Sequence, residues 1–295
     1  MTFQPYLLIP LACAFVYVLG ALTVKRAGAF GVGVWRTNFV ANWMMFLVFL
    51  PWWFGRGAAV HPLADYWQPA VTGLCFLGGQ AFIFLALSRG DVSVTTPVMG
   101  SKVILVALFS SLLRVGEVPL PWWIGAGLST AAVGLLHAGE KHGRHHHVRV
   151  TVLLATLSAA SFGLGDVLMQ KWVPAWGAGG FFPPMFLLVG LYSFAFVPFF
   201  SAPLRALSGE AWRWVGGGGL LMALNNAGIV LTLGRWGGAT AVNIVYSARG
   251  LVSVVLVWAI GHWFASEEQH LAPRVLGFRL VGAALMLGAI ALVLV

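Results

Sequence analysis

Charge is what this sequence has least of. Asp, Glu, Lys and Arg make up 8% of its 295 residues, where a soluble domain carries about a quarter. With 60% hydrophobic residues and a mean hydropathy of +0.89, no water-soluble surface can be built. Cysteine is also scarce. Cys13 and Cys75 fall singly inside apolar stretches, which excludes a disulfide framework and gives no metal-ligand spacing. Catalytic signatures are missing too: there is no phosphate-binding Walker loop, nucleophile elbow or zinc-protease motif. ATP-driven transport by this chain alone and soluble-type catalysis are therefore disfavoured, and the reading is of a non-enzyme without cofactor or metal. The alternating ten-residue pattern of a membrane β-barrel is absent as well.

Long apolar runs are abundant. They fall at roughly 5–24, 31–53, 68–88, 92–113, 121–138, 150–172, 181–202, 211–234, 238–263 and 275–295. A helix needs roughly 20 apolar residues to cross the bilayer core, and backbone in lipid must satisfy its own hydrogen bonds. The expected fold class is all-α integral membrane, with ten transmembrane helices. Tryptophans at the ends of the runs, such as Trp52, Trp53, Trp122, Trp123, Trp172, Trp212, Trp214, Trp236 and Trp263, match the aromatic belts found at headgroup level. The first run has no basic stretch before it, so it reads as an uncleaved helix rather than a signal peptide.

The net charge of +9 comes from 17 Lys and Arg scattered one or two per loop. Such scatter offers nothing to a nucleic-acid backbone and is the usual orientation signal of membrane proteins. Loops after odd-numbered runs carry nine of these cations and loops after even-numbered runs four, which by itself sets both termini outside. The longest polar stretch, HAGEKHGRHHHVR at 137–149, has five histidines. It reads as a solvated linker rather than a metal site, because a flexible loop holds no fixed ligand geometry.

The two sides of that linker compare with each other. ALSRGDVSVTTPVMGSKV and TLGRWGGATAVNIVYSAR align Arg89 with Arg235 and Ser101 with Ser247 at an offset of 146, which also pairs Lys25 with Lys171. Five helices per copy would make the repeat inverted, a common construction of secondary transporters. The expected units are 1–138, a linker at 139–149, and 150–295.

Two stretches carry a family likeness. LLRVGEVPLPWWIGAGLSTAAVGLL follows the fourth run and WFASEEQHLAPRVLGFRLVGAALMLGAIAL follows the ninth. Both resemble the EamA-type members of the drug/metabolite transporter superfamily, in which a Gly-Glu pair closes a helix ahead of a glycine-rich one. The pair maps to Gly116 and Glu117. In the second copy Glu267 follows Ser266 instead of glycine, and the arginine opening the second helix maps to Arg36. The resemblance implies ten helices in two inverted five-helix repeats, a central cavity, alternating access and cytoplasmic termini. On that last point it disagrees with the charge count. It also implies a small-molecule substrate, a cell membrane (a bacterial inner membrane) as location, and coupling to protons or a counter-substrate. A monomer or a homodimer fits. The substrate class is not implied, since the superfamily carries amino acids, drugs, sugars and phosphorylated metabolites.

Most charges lie in loops or at the ends of the runs, and three are read as standing well inside them: Lys102, Asp166 and Arg249. A charge at the bilayer centre costs about 2.5–3.5 kcal/mol on insertion scales, so it faces a cavity or a partner. Lys102 and Arg249, at related positions of the fourth and ninth runs, suit a carboxylate or phosphate. The competing reading is an ion pair of Asp166 with one of them, which leaves the other cation over. Asp166 also has a reading as a proton-coupling group. Uncharged candidates for substrate contact are Ser101, Asn243, Tyr246, Ser247, Gln80, Asn225, Asn226, Asn38 and Asn42. Each could equally bridge two helices. Pro97 is expected to kink the fourth helix. The expected function is a secondary transporter of a small anionic metabolite. The alternatives are an exporter of neutral or zwitterionic amino acids or drugs, an intramembrane lipid-handling enzyme, or a non-transporting membrane protein.

Overall fold

The computed structural model describes residues 4–55, 61–89, 92–136, 148–260 and 273–294. The histidine-rich stretch, most of the expected linker at 139–149, Trp263 and Glu267 lie outside them. Among the described residues the chain is all-helical and has no strand.

The α-helices are α1 (Leu8–Gly28), α2 (Val34–Trp53), α3 (Trp67–Arg89), α4 (Val92–Gly100), α5 (Lys102–Leu112), α6 (Leu120–Leu136), α7 (Val148–Trp176), α8 (Ala178–Tyr192), α9 (Gly209–Trp236), α10 (Ala239–Tyr246), α11 (Arg249–Ile260) and α12 (Pro273–Leu294). Among the described residues, eight stretches are long and apolar enough to cross a membrane. Two of these each join a pair of short helices, Val94–Leu112 through α4 and α5 and Ala239–Leu256 through α10 and α11. Leu120–Leu136 is apolar but shorter, and α2 has 20 residues that include Arg36, Asn38 and Asn42.

Helix ends follow local chemistry. Ser208 caps α9 by accepting from Ala211 N–H at 3.2 Å, one of the donors a helix start leaves unpaired. The run expected at 181–202 stops being α-helical at Tyr192 and continues as a 3-10 helix over Ser193–Phe199, with Pro198 inside it. The ring of Pro198 removes a donor and so prevents regular continuation.

The helices pack α1 on α9, α2 on α8 and α9, α3 on α7 and α8, α6 on α12, α4 and α5 on α7, and α11 on α1. Small residues permit the closest approaches. A side chain at Gly218 would meet Val24 Cγ2 at 2.9 Å, and one at Gly163 would meet Val106 Cγ2 at 3.3 Å. These glycines bring α9 against α1 and α7 against α5. Elsewhere aromatic side chains fill the gaps: Phe49 of α2 stacks on Phe186 of α8 at 5.0 Å, and Phe76 of α3 meets the same ring edge-on at 5.8 Å. Rings in such offset and edge-on pairs add about 0.5–1.5 kcal/mol beyond their area.

Candidate functional site: a cavity between two broken helices

The fourth and ninth runs are each interrupted at a serine. At the first interruption Ser101 N–H donates to Val98 O at 3.0 Å, and its hydroxyl donates to the same carbonyl at 2.6 Å. Pro97, four residues earlier, has no N–H to give. At the second, Ser247 N–H is shared between Asn243 O (3.0 Å) and Ile244 O (3.2 Å), while the hydroxyl donates to Asn243 O at 2.8 Å. Three-residue bonds tighten and redirect a helix, and such stretches often sit at hinges. Lys102 and Arg249 are therefore not mid-helix, as the apolar runs suggested, but begin α5 and α11 directly after the breaks.

Between the breaks lies a cavity of about 70 Å³, lined among others by Lys102, Asn243, Tyr246, Ser247 and Arg249. It has room for a handful of water molecules. Lys102 Nζ donates to Asp166 Oδ2 at 2.7 Å, and both side chains are nearly buried, at 13% and 9% exposure. Asn243 Nδ2 donates to the same Oδ2 at 2.8 Å. One oxygen of Asp166 thus joins α5 to α10. Lys102 also lies 5.7 Å from the centroid of the Phe162 ring.

Arg249 is held differently. Its guanidinium carbon stands 4.4 Å from the Tyr246 ring centroid and 5.1 Å from that of Tyr17. The two tyrosines meet edge to face at 6.0 Å. Cation–π contacts of this kind are worth about 0.5–2 kcal/mol and leave guanidinium N–H groups available. No carboxylate among the described residues forms an ion pair with Arg249. Asn225, with its amide turned to suit its neighbours, donates to Cys13 O at 2.9 Å and pairs with the Tyr246 hydroxyl at 3.1 Å. Among the described residues, two cations and one carboxylate meet here.

The other polar positions read from the sequence lie elsewhere. Asn42 and Gln80 exchange hydrogen bonds of 2.9 and 2.8 Å between α2 and α3, a helix bridge that is not part of the cavity lining. Asn38 donates to Val34 O within its own helix. Asn226 is half-buried and is not part of the cavity wall. Arg36 donates to Gly31 O at 2.6 Å and Ser201 Oγ at 2.8 Å, fastening two loops. Gly116 adopts φ +75°, with Gln170 Nε2 3.1 Å from where its Cβ would stand, and the neighbouring Glu117 is exposed.

Sequence reasoning misses Phe162, Gln170 and Tyr17. A signal for the first two existed, since they stand four residues either side of Asp166 and so share its helix face. Tyr17 precedes Phe162 by 145 residues, close to the repeat offset.

No curated protein matches the chain in sequence. A solved crystal structure is similar over 99% of this chain and 98% of its own, with 20% identity and a TM-score of 0.74, which establishes a shared fold. Residues 4–137 match the EamA-like transporter family. Long apolar helices and a charged cavity between broken helices accompany this match: over residues 4–137 the chain is similar to the EamA-like transporter family.

Proposed function

We propose that the protein is a secondary active transporter that moves a small anionic metabolite across a cell membrane, that of a bacterium, by alternating access. The observation that carries the reading is Arg249. It lies against the cavity on two tyrosine rings with no carboxylate partner among the described residues, so the site has an excess positive charge for a carboxylate or phosphate to meet. Lys102 is the secondary contact, reachable by an anion that displaces Asp166. Ser247 and Asn243 supply polar edges.

In this reading ten helices cross the bilayer, α2 and α6 joining the eight stretches named above. They form two inverted five-helix units, 1–138 and 150–295, connected through 139–149. Support comes from the packing, which maps onto itself when the units are exchanged: α1 on α9 answers α7 on α3, and α2 on α9 answers α8 on α3. The family match ends at residue 137, at the end of the first unit. Asp166, held by Lys102, is the group through which a proton would couple to transport.

Lys102–Asp166 pairing also suits the second reading, export of neutral or zwitterionic solutes. Thermal denaturation of the purified full chain separates the two. Acetate and inorganic phosphate are expected to raise the Tm of the parent and not of Arg249→Gln. Stabilisation by glycine with no response to either anion would refute the anion reading.

A further inference from the structure

Gln170 stands one turn beyond Asp166 on α7 and makes a second bridge of the same kind. Its Nε2 donates to Val115 O at 3.2 Å, in the turn after α5, and its Oε1 accepts from Ala239 N–H, the first residue of α10, at 2.8 Å. Asp166 joins Lys102 of α5 to Asn243 of α10. One face of α7 thus ties the two cavity-bearing segments together twice, once beside the cavity and once at the bundle end where α5 finishes and α10 begins.

The surrounding backbone is shaped to this amide. Gly116 and Gly237 have φ of +75° and +70°, and a Cβ on either would lie 3.1 or 3.4 Å from Gln170 Nε2. Only residues without a Cβ take such backbone angles freely. The adjacent Gly238, at φ +64°, packs where a Cβ would come 3.2 Å from the Tyr6 hydroxyl and 3.6 Å from Trp122 Cη2. Tyr6 in turn stacks on Trp236 at 5.5 Å and 3°. These rings and turns fill the end of the bundle beyond the Asn243 level of the cavity.

We infer that Gln170 is the latch that keeps this end of the cavity closed, a positioning residue for the alternating-access step. The inference rests on the transport reading above. Opening that end requires α5 and α10 to separate, and both α7 bridges then break. An anion that draws Lys102 from Asp166 loosens the inner bridge, and the Gln170 amide alone then sets how readily the end opens. Binding in the cavity is in this way linked to release at the end.

The test is sidedness of access to the cavity. Ser247, which lines it, is replaced by cysteine in a full chain whose Cys13 and Cys75 are serine. An anionic, membrane-impermeant methanethiosulfonate is then applied to sealed vesicles of either orientation. The parent is expected to label from one face only. With Gln170→Leu, of similar size but without either hydrogen bond, labelling from the other face rises roughly fivefold or more, about fivefold being the factor expected for each net hydrogen bond lost. Gln170→Glu, which keeps the acceptor for Ala239 and loses the donor to Val115, falls between them and also serves if Gln170→Leu does not fold. One-sided labelling in both variants overturns the latch and leaves the transport reading standing, and so does equal labelling of the parent from both faces. A parent that labels from neither face overturns the transport reading and the latch together.

Discussion

At the first helix break Lys102 meets a carboxylate at 2.7 Å and an aromatic ring at 5.7 Å, and at the second Arg249 meets two aromatic rings and no carboxylate among the described residues. The two breaks otherwise correspond closely. Each has a serine bonded back to its own helix, a cation just after it, and a ring contributed by the other half, Phe162 for Lys102 and Tyr17 for Arg249. One difference is Asp166. At the offset of 146 expected from the sequence its counterpart would be Gly20, and the neighbours Leu19 and Ala21 are uncharged too. The two breaks are therefore unequal in charge. Lys102 is tied into the structure, and Arg249 holds the spare charge.

This contrast predicts that removing the two cations has different consequences. Lys102→Met leaves Asp166 buried without its cation. Losing one partner of a buried pair costs about 3–5 kcal/mol, so unfolding in a fixed detergent is expected to shift by that amount. Arg249→Met breaks no ion pair among the described residues and loses its contacts to the Tyr17 and Tyr246 side chains, about 0.5–2 kcal/mol for each ring. Equal losses in the two variants would remove the distinction. Tyr17→Leu sharpens it at one site, with an expected cost of about 0.5–1 kcal/mol at a single ring contact and a weaker response to anions. Asn42→Leu is the control away from the cavity. It leaves the Gln80 amide without its partner at a cost of about 0.6 kcal/mol for each of the two bonds lost, the average for hydrogen bonds between membrane helices, and the anion response is expected to be unchanged.

How much of this was legible in the sequence depended on how local each constraint is. The bilayer imposes length and apolarity segment by segment, so the run at 31–53 became Val34–Trp53 and that at 68–88 became Trp67–Arg89. The serine breaks are subtler. Pro97 hinted at the first, whereas nothing in AVNIVYSAR announces the second, where the Ser247 N–H is shared between two carbonyls. Lys102, Asp166 and Arg249 were conspicuous because charge in lipid is costly. Which cation Asp166 would choose depends on helix rotation, which composition does not encode. The amides show the same limit. Asn42 and Gln80 looked as suited to a substrate as Asn243, yet they serve each other, while Gln170 passed unnoticed next to the charge of Lys171.

The most direct test of the account is anion affinity in Asp166→Asn, which keeps the side-chain shape while raising the excess charge of the cavity. Titration of the purified protein with inorganic phosphate or acetate should show binding tightened about tenfold or more, the change expected from a unit charge even roughly 12 Å away at an effective dielectric near 20. Arg249→Gln should lose the binding. Affinity that is unchanged or weaker in Asp166→Asn, or retained in Arg249→Gln, would contradict the claim that the unpaired charge at the second break is what receives the transported anion.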